Sequence, residues 1–253
     1  TFIHKYLSPK AEQLALESEW NKMLLSYAVQ SEILAGKGTK HGGVYFSLPD
    51  HPQEILEELY HDLPSLKKGI YADIMKIFES GKSLVVQPAA HYFEGGIRIN
   101  AKGHTSLPGL FAAGECSGGM FGANRVSAAT TEMLVEGAQA GISAAMFASG
   151  RSMPLITSSD TEKTESELLA PFGRKNGISP NEQKQKLHEI TAESLPVIRC
   201  EKKLTDALAQ LEQLQNEEEN IAFHDDSRVY NRQWREYLEL RNMIPVARAI
   251  VKS

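Results

Sequence analysis

The amino-acid sequence predicts a mixed α+β or α/β fold, and three observations lead to this expectation. Residues 11–35 and 52–81 carry apolar side chains at helical spacing. From Leu84 onward, β-branched and aromatic residues surround Gly-Gly and Pro-Gly turns, which is typical of strands. After residue 180, leucines recur at helical spacing among Glu, Lys and Gln. We therefore expect helices, then a sheet region, then a mainly helical end.

The first part of the chain is predicted to be mostly helical. One long helix should cover residues 11–35 and end at the glycines of AGKG, Gly36 and Gly38. The alternating apolar residues of GGVYFSLPD predict a short strand and a turn. Two helices, broken near Pro64, should follow between residues 52 and 81.

The middle of the chain should hold strands and one buried helix. Strand signals lie in LVVQPAAHYFEGGIRIN and in GLFAAGE, with TSLPG as a turn between them. Residues 127–148 are rich in Ala, Met and Leu, and their small residues favour a buried helix packed close to a sheet or a ligand.

Residues 151–180 are polar and proline-containing, so they are expected to form a solvated crossing at a domain boundary. Amphipathic helices are predicted around residues 204–214 and over 232–251. The acidic run Glu217, Glu218 and Glu219 is interpreted as the solvated end of the first of these helices. The resulting divisions are 1–82, 83–150 and 151–253.

Composition excludes several classes of protein. The 253 residues are 42% hydrophobic and carry a net charge of −5, so a globular chain is expected and nucleic acid is a poor partner. No apolar run is long enough to span a bilayer and no signal peptide is visible, which favours the cytoplasm. Cys116 and Cys200 have no metal-ligand spacing, and Cys200 is expected to be a small buried side chain.

The densest chemical signal is the segment GLFAAGECSGGMFGANR. A predicted strand ends at Gly114 and Glu115, and glycines follow that expose the backbone. This arrangement suits a cofactor approached closely by main chain, with the Glu115 carboxylate available for ribose or polyol hydroxyls. The alternative is that the glycines only form turns and Glu115 is solvated.

Several segments, in the same order, resemble one family. HYFEGGIRIN, TSLPGLFAAGECSGGMFGANR, LPVIRCEKKLTDALAQLEQL and LELRNMIPVARAIVKS are similar to the second half of the flavoprotein subunit of succinate dehydrogenase and fumarate reductase, a family that includes L-aspartate oxidase. SYAVQSEILAGKG with VYFSL resembles the end of its capping domain. The resemblance implies the end of a capping domain (1–82), the C-terminal part of a Rossmann-like FAD-binding domain (83–150) and a truncated helical C-terminal domain (151–253).

The resemblance also implies an enzyme that moves a hydride between flavin N5 and a dicarboxylate such as succinate or fumarate. Arg125 of GANR would clamp a substrate carboxylate, which suits the planar guanidinium fork. His91 would hold the substrate carboxylate by a hydrogen bond or as imidazolium. Glu115, after Gly114, would match the glutamate that holds FAD hydroxyls. Thr130 and Thr131 would fall where the family places a Ser-Leu pair against the isoalloxazine.

The sequence departs from the family pattern at three places. Lys22 stands where the family has a proton-donating arginine, and it is either the proton donor here or an exposed helix lysine. Phe121 replaces a histidine before GANR, and VSAATTE is one residue shorter than the family stretch.

Three hypotheses about function therefore stay open. A GxGxxG motif is absent, so the chain is expected to be a fragment of an FAD-dependent oxidoreductase, or one chain of a split flavoprotein, that is inactive alone. L-aspartate oxidase is the alternative enzyme. A non-catalytic assembly module, whose acidic helices contact a partner such as an electron-transfer subunit, is the second hypothesis. An unrelated α/β domain with coincidental glycines is the third.

Overall fold

A computed structural model describes residues 2–6, 22–47, 53–91, 93, 95–118 and 129–253. The chain divides into two compact units, unit 1 over residues 1–147 and unit 2 over 148–253. Unit 1 combines helices, a small sheet and irregular loops, whereas the secondary structure of unit 2 is helical. The mixed α+β or α/β fold class expected from the sequence is confirmed, and the described residues are mostly helical with a small sheet.

Unit 1 begins with helical segments. A short 3-10 turn, Phe2–Lys5, precedes helix α1, Lys22–Glu32, which continues as a wider turn over Ile33–Lys37. Gly36 has a φ of +74°, a left-handed conformation that glycine adopts without steric cost, so the predicted helix end at AGKG is confirmed. The predicted start of this helix at residues 11–21 lies outside the described residues.

The buried carboxylate of Glu32 connects the first 3-10 turn to α1. It accepts a hydrogen bond from the hydroxyl of Tyr6 at 2.9 Å and lies 3.3 Å from the ammonium of Lys5 and 3.4 Å from that of Lys37. Burial by itself raises the pKa of Glu32, but the hydrogen bonds from Tyr6 and Lys5 and the charge of Lys37 lower it overall. Glu32 therefore stays ionised at neutral pH.

The sheet of unit 1 has two antiparallel strands in the described residues. Strand β1, Val44–Phe46, pairs with β2, Leu84–Val86, and Tyr45 lies opposite Val85. The strand predicted within GGVYFSLPD is therefore confirmed over its described part. The partner strand β2 belongs to the segment from Leu84 onward, so the two strands pair across the predicted domain boundary at residue 82. The division into the domains 1–82, 83–150 and 151–253 stays a prediction.

Two helices connect the strands, as predicted. Helix α2, Gln53–Asp62, is followed by a 3-10 turn, Pro64–Lys67, and by α3, Gly69–Glu79. Pro64 stands at the first position of the turn, where a missing N–H costs no helical hydrogen bond. Phe78 of α3 is buried, and its ring meets that of Phe46 of β1 edge to face at 5.4 Å.

The prediction of a sheet region beyond β2 is wrong for most of the described residues. Residues 95–113 form turns and isolated bridges, Gly96 with Ser117 and His104 with Phe111, rather than a continuous ladder. The Asn100 side chain accepts hydrogen bonds from two backbone N–H groups, at 2.9 and 3.2 Å, so local turn chemistry replaces strand pairing.

Helix α4, Ala129–Ala148, was predicted to be buried, and the described structure contradicts this for most of its side chains. One face packs onto the loop segment: a Cβ on Gly103 would meet the Cβ of Ala140 at 2.7 Å, and the Phe147 ring lies 5.9 Å from that of Phe111. On the remaining surface, apolar side chains are exposed, namely Leu134, Val135, Ile142 and Met146. A helix that is apolar on all sides is usually buried on all sides, whereas the described residues pack against one face of α4.

Unit 2 is built from four helices. They are α5 (Ser158–Leu169), α6 (Pro180–Ser194), α7 (Glu201–Asn216) and α8 (Arg232–Lys252). Helices α6, α7 and α8 pack on one another around a core that includes Leu187, Leu211 and Leu240. The two amphipathic helices predicted at 204–214 and 232–251 are confirmed as α7 and α8.

Three details of unit 2 correct the sequence interpretation. The predicted solvated crossing contains α5, which is exposed over most of its length. Cys200 is exposed rather than buried, and it occupies the N-cap position just before α7. The acidic run forms a 3-10 turn, Glu217–Asn220, whose first two carboxylates are paired instead of being free in solvent.

The carboxylates of the acidic turn bind to the neighbouring helices. Glu217 lies 3.0 Å from the ammonium of Lys186 on α6, and Glu218 accepts from Arg241 at 2.8 Å and from the Tyr237 hydroxyl at 3.0 Å on α8. Burial and the nearby charge of Glu218 raise the pKa of Tyr237 to about 12. Tyr237 is therefore a neutral hydrogen-bond donor across the physiological pH range.

Within the described part of the chain, none of the helices is long and apolar enough to cross a membrane.

Candidate functional site

The predicted cofactor residues Gly114 and Glu115 lie on a tight turn of unit 1, here called the GEC turn (Gly114–Cys116). Gly114 is buried and has a φ of +74°, which a residue with a side chain adopts only with strain. A Cβ at this position would also approach the Cβ of Met133 on α4 to 3.1 Å. The turn therefore requires glycine at its first position, both for its conformation and for its close approach to α4.

The Glu115 side chain is exposed at the middle of the turn. Its Oε1 atom accepts a hydrogen bond of 2.7 Å from the backbone N–H of Phe93. Among the described residues this is the one hydrogen bond that the carboxylate makes, so acceptor capacity is left for further donors. A carboxylate of this kind can accept hydrogen bonds from sugar or polyol hydroxyl groups.

The segment that carries Phe93 runs directly beside the GEC turn. Gly96 bridges to Ser117, and the N–H of Ile97 donates to the carbonyl of Cys116 at 2.8 Å. A Cβ on Gly96 would lie 2.3 Å from that carbonyl oxygen, so no side chain fits here. The glycines of HYFEGGI and of GEC thus bring two stretches of backbone into direct contact.

Glu136 is a site residue that the sequence interpretation missed. It lies on α4, half-buried, and its Oε2 atom accepts a hydrogen bond of 2.8 Å from the N–H of Gly114. The same oxygen is 3.2 Å from the hydroxyl oxygen of Ser117. The sequence gives no signal that separates Glu136 from Glu132, the other acidic residue of the same Ala-, Met- and Leu-rich helix.

The other predicted site residues are placed only in part. His91 is exposed and precedes Phe93 by two residues, which is at most about 7 Å along an extended chain, so it belongs to the segment that contacts Glu115. Thr130 and Thr131 are exposed in the first turn of α4, and Thr130 is three residues before Met133. All three residues therefore lie on segments that contact the GEC turn, His91 on the segment of Phe93 and the two threonines on α4.

The side chains of two predicted catalytic residues, Arg125 and Lys22, lie outside what the structure describes. Arg125 and the neighbouring Phe121 lie outside the described residues. Lys22 begins α1, but its side chain also lies outside what the structure describes. Their assignments rest on the sequence alone.

The arrangement of the GEC turn fits FAD. An exposed carboxylate with acceptor capacity left over can hold the cofactor's hydroxyl groups. Among the described residues, no group of three His, Cys, Asp or Glu side chains is placed to hold a metal ion.

Comparison with known proteins agrees with this arrangement. Residues 53–131, which include the GEC turn, match the family model described as FAD binding domain, and residues 184–253 match the one described as fumarate reductase flavoprotein C-term. The prediction of FAD as the cofactor is confirmed by these matches.

Similar proteins are fumarate reductase subunits and a related oxidase. The chain is 32% identical to a subunit of the CoM/CoB fumarate reductase of Methanothermobacter marburgensis, over 91% of this chain and 41% of that protein. It is 25% identical to L-aspartate oxidase of Vibrio cholerae, over 83% of this chain and 36% of that protein.

Solved structures give the same result. The Sdh1 protein of Mycobacterium smegmatis in complex with UQ1 is similar with a TM-score of 0.77 and 31% identity, over 91% of this chain and 38% of that one. The chain thus spans about two fifths of the length of the relatives that it matches.

Proposed function

We propose that this chain, which belongs to the succinate dehydrogenase and fumarate reductase flavoprotein family, is part of an FAD-dependent oxidoreductase acting on a dicarboxylate of the succinate and fumarate type. The observation that supports this most directly is the GEC turn. Its exposed Glu115 carboxylate lies inside the stretch that matches an FAD-binding domain. The proposal assigns Glu115 to the hydroxyl groups of FAD.

The proposed role of each residue follows from the chemistry of its side chain. FAD, when bound, supplies the N5 atom that exchanges a hydride with the substrate. Arg125 would hold a carboxylate of the substrate through two parallel N–H···O bonds. His91 would hold a substrate carboxylate by a hydrogen bond or as imidazolium. Together they would orient the dicarboxylate for hydride transfer, and Thr130 and Thr131 would contribute contacts to the bound flavin.

Lys22 is the proposed proton donor for reduction of fumarate. Adding a hydride to one alkene carbon requires a proton at the other, and an ammonium group can deliver it. The alternative is that Lys22 is an exposed lysine of α1 without a part in the reaction. In that case, a Lys22→Met variant of the full-length protein keeps its rate of fumarate reduction.

The reaction is tested with the full-length protein. Its flavin is reduced anaerobically and then mixed with fumarate, and we expect the absorbance of oxidised flavin to return as succinate forms. Production of oxaloacetate and ammonia from L-aspartate, without reaction of succinate, would instead identify an L-aspartate oxidase. Bound flavin that reacts with none of these compounds would favour the non-catalytic assembly module.

Replacing Glu115 by glutamine should weaken FAD binding by about 10- to 100-fold, because a hydrogen bond to a charged acceptor contributes about 1.5–3 kcal/mol. The measurement is a titration of apoprotein with FAD, which gives the half-saturation concentration. Glu162→Gln, at an exposed glutamate of α5, is the matched control. Equal half-saturation for Glu115→Gln and the control would contradict the proposed contact.

The proposal extends to partners and location. Fumarate reduction needs a donor that reduces the flavin again, and succinate oxidation needs an acceptor that reoxidises it. An electron-transfer subunit is the proposed partner for this step, because the relatives are subunits of larger enzymes. Nucleic acid is not among the proposed partners. The proposed location is the cytoplasm.

A further inference from the structure

The carboxylate of half-buried Glu136 accepts a hydrogen bond from the backbone of the GEC turn. Its Oε2 atom accepts from the N–H of Gly114 at 2.8 Å. Gly114 is the first residue of a 3-10 turn, where an N–H has no acceptor within the turn. Because Gly114 is buried, this N–H needs an acceptor from elsewhere in the protein, and α4 supplies it.

The hydroxyl of Ser117 does not substitute for this bond. Its oxygen lies 2.7 Å from the carbonyl of Gly114 and 3.2 Å from Oε2 of Glu136. A serine hydroxyl has one hydrogen, and the shorter distance assigns that hydrogen to the Gly114 carbonyl. The contact that depends on Glu136 is therefore the one from the N–H of Gly114.

Helix α4 holds the turn at two neighbouring points. Met133 packs against Gly114, where an added Cβ would come within 3.1 Å, and Glu136 binds the N–H of the same residue. Residues three apart lie next to each other on a helix face. These two contacts hold Gly114, the residue immediately before Glu115. The hydrogen bond from the Phe93 N–H restrains the Glu115 side chain itself.

We propose that Glu136 is a positioning residue for the cofactor: it fixes the GEC turn on α4 so that Glu115 is presented to FAD in one orientation. This proposal rests on the proposed contact between Glu115 and FAD. Glu136 itself touches the turn and not the cofactor, so its effect on FAD passes through Glu115.

Glu136→Ala and Glu136→Gln in the full-length protein separate a positioning role from a loss of folding. The alanine variant removes the acceptor and should raise the half-saturation concentration for FAD about 10-fold. The glutamine variant keeps a carbonyl oxygen that can accept from Gly114, so it should stay within about 3-fold of the unchanged protein. Gln139→Ala, at an exposed position of the same helix, is the control and should leave FAD binding unchanged.

A double-mutant cycle with Glu115→Gln tests whether the effect passes through Glu115. With Glu115 already replaced, Glu136→Ala should raise the half-saturation concentration less than about 3-fold further. The same 10-fold loss in both backgrounds would overturn the proposal, as would a lowered melting temperature of Glu136→Ala with unchanged FAD binding. If Glu115→Gln alone has no effect on FAD, the proposed function of Glu115 fails, and this outcome is distinct from either of the others.

Discussion

Replacing Arg125 by glutamine in the full-length protein is expected to lower kcat/KM for the dicarboxylate by about 30- to 5,000-fold. This range corresponds to the about 2–5 kcal/mol lost when one partner of a desolvated charge pair is removed. The glutamine side chain reaches nearly as far as that of arginine but carries no charge. The substrate carboxylate would then still lose its hydration on binding but would have no positive charge to pair with.

A second substitution at the same position separates charge from geometry. Arg125→Lys keeps the positive charge but presents a point charge in place of the planar fork that binds both carboxylate oxygens. It should therefore fall between the original protein and Arg125→Gln in kcat/KM. The flavin spectrum should stay unchanged in both variants, because the proposed partner of Arg125 is the substrate.

The control for this series is Arg228→Gln, at an exposed arginine of unit 2. It removes the same charge from the protein but should leave kcat/KM within about 2-fold, since screened surface charges contribute little. Should Arg125→Gln, loaded with flavin, match this control in kcat/KM, Arg125 does not bind the substrate.

Two helices of unit 2, α7 and α8, could be predicted from the sequence because their signals are local. Leucines at helical spacing predicted α7, and the same reasoning predicted α8. The start of α6 carries a further local signal, a capping box in which the Ser179 hydroxyl accepts from the N–H of Glu182 at 3.2 Å and the Glu182 carboxylate accepts from the N–H of Ser179 at 3.0 Å. Each of these features depends on residues within a few positions of one another.

The features that the sequence interpretation missed depend on distant partners. The acidic residue Glu218 was expected to be solvated, but its partners Tyr237 and Arg241 come from a helix later in the chain. Pairing of Tyr45 with Val85 likewise joins segments separated by two helices. Spacing within one segment carries no information about such pairs.

In the candidate site, too, local features could be predicted and contacts between distant residues could not. The motif identified Gly114 and Glu115, because glycine conformation and a carboxylate are properties of the residues themselves. The bond from Gly114 to Glu136 joins a turn to a separate helix, and the exposed apolar surface of α4 follows from what packs against it. Neither can be obtained from the composition of the helix.

Replacing Leu211 by alanine is expected to lower the free energy of unfolding of unit 2 by about 2–5 kcal/mol. Leu211 is completely buried, and it belongs to the core that α6, α7 and α8 share, with Leu187 and Leu240 among its members. Removing the side chain loses its transfer free energy and leaves a cavity that three packed helices fill only partially. The loss is a large fraction of the stability of a small domain.

The matched control is Leu155→Ala, the same substitution at a leucine that is 97% exposed in unit 2. It should change the free energy of unfolding by about 0.5 kcal/mol or less. Amide hydrogen exchange of helices α6, α7 and α8 is the measurement, because it reports the local opening free energy of unit 2 regardless of how unit 1 unfolds.

The two substitutions together test the packing of unit 2 rather than leucine content alone. Faster exchange throughout the three helices in Leu211→Ala, with Leu155→Ala unchanged, is the expected result, because a shared core unfolds as one cooperative unit. Faster exchange confined to α7 would show that the helices open independently, and equal exchange in the two variants would place Leu211 outside the core. Either outcome would contradict the packing of α6, α7 and α8 around Leu211.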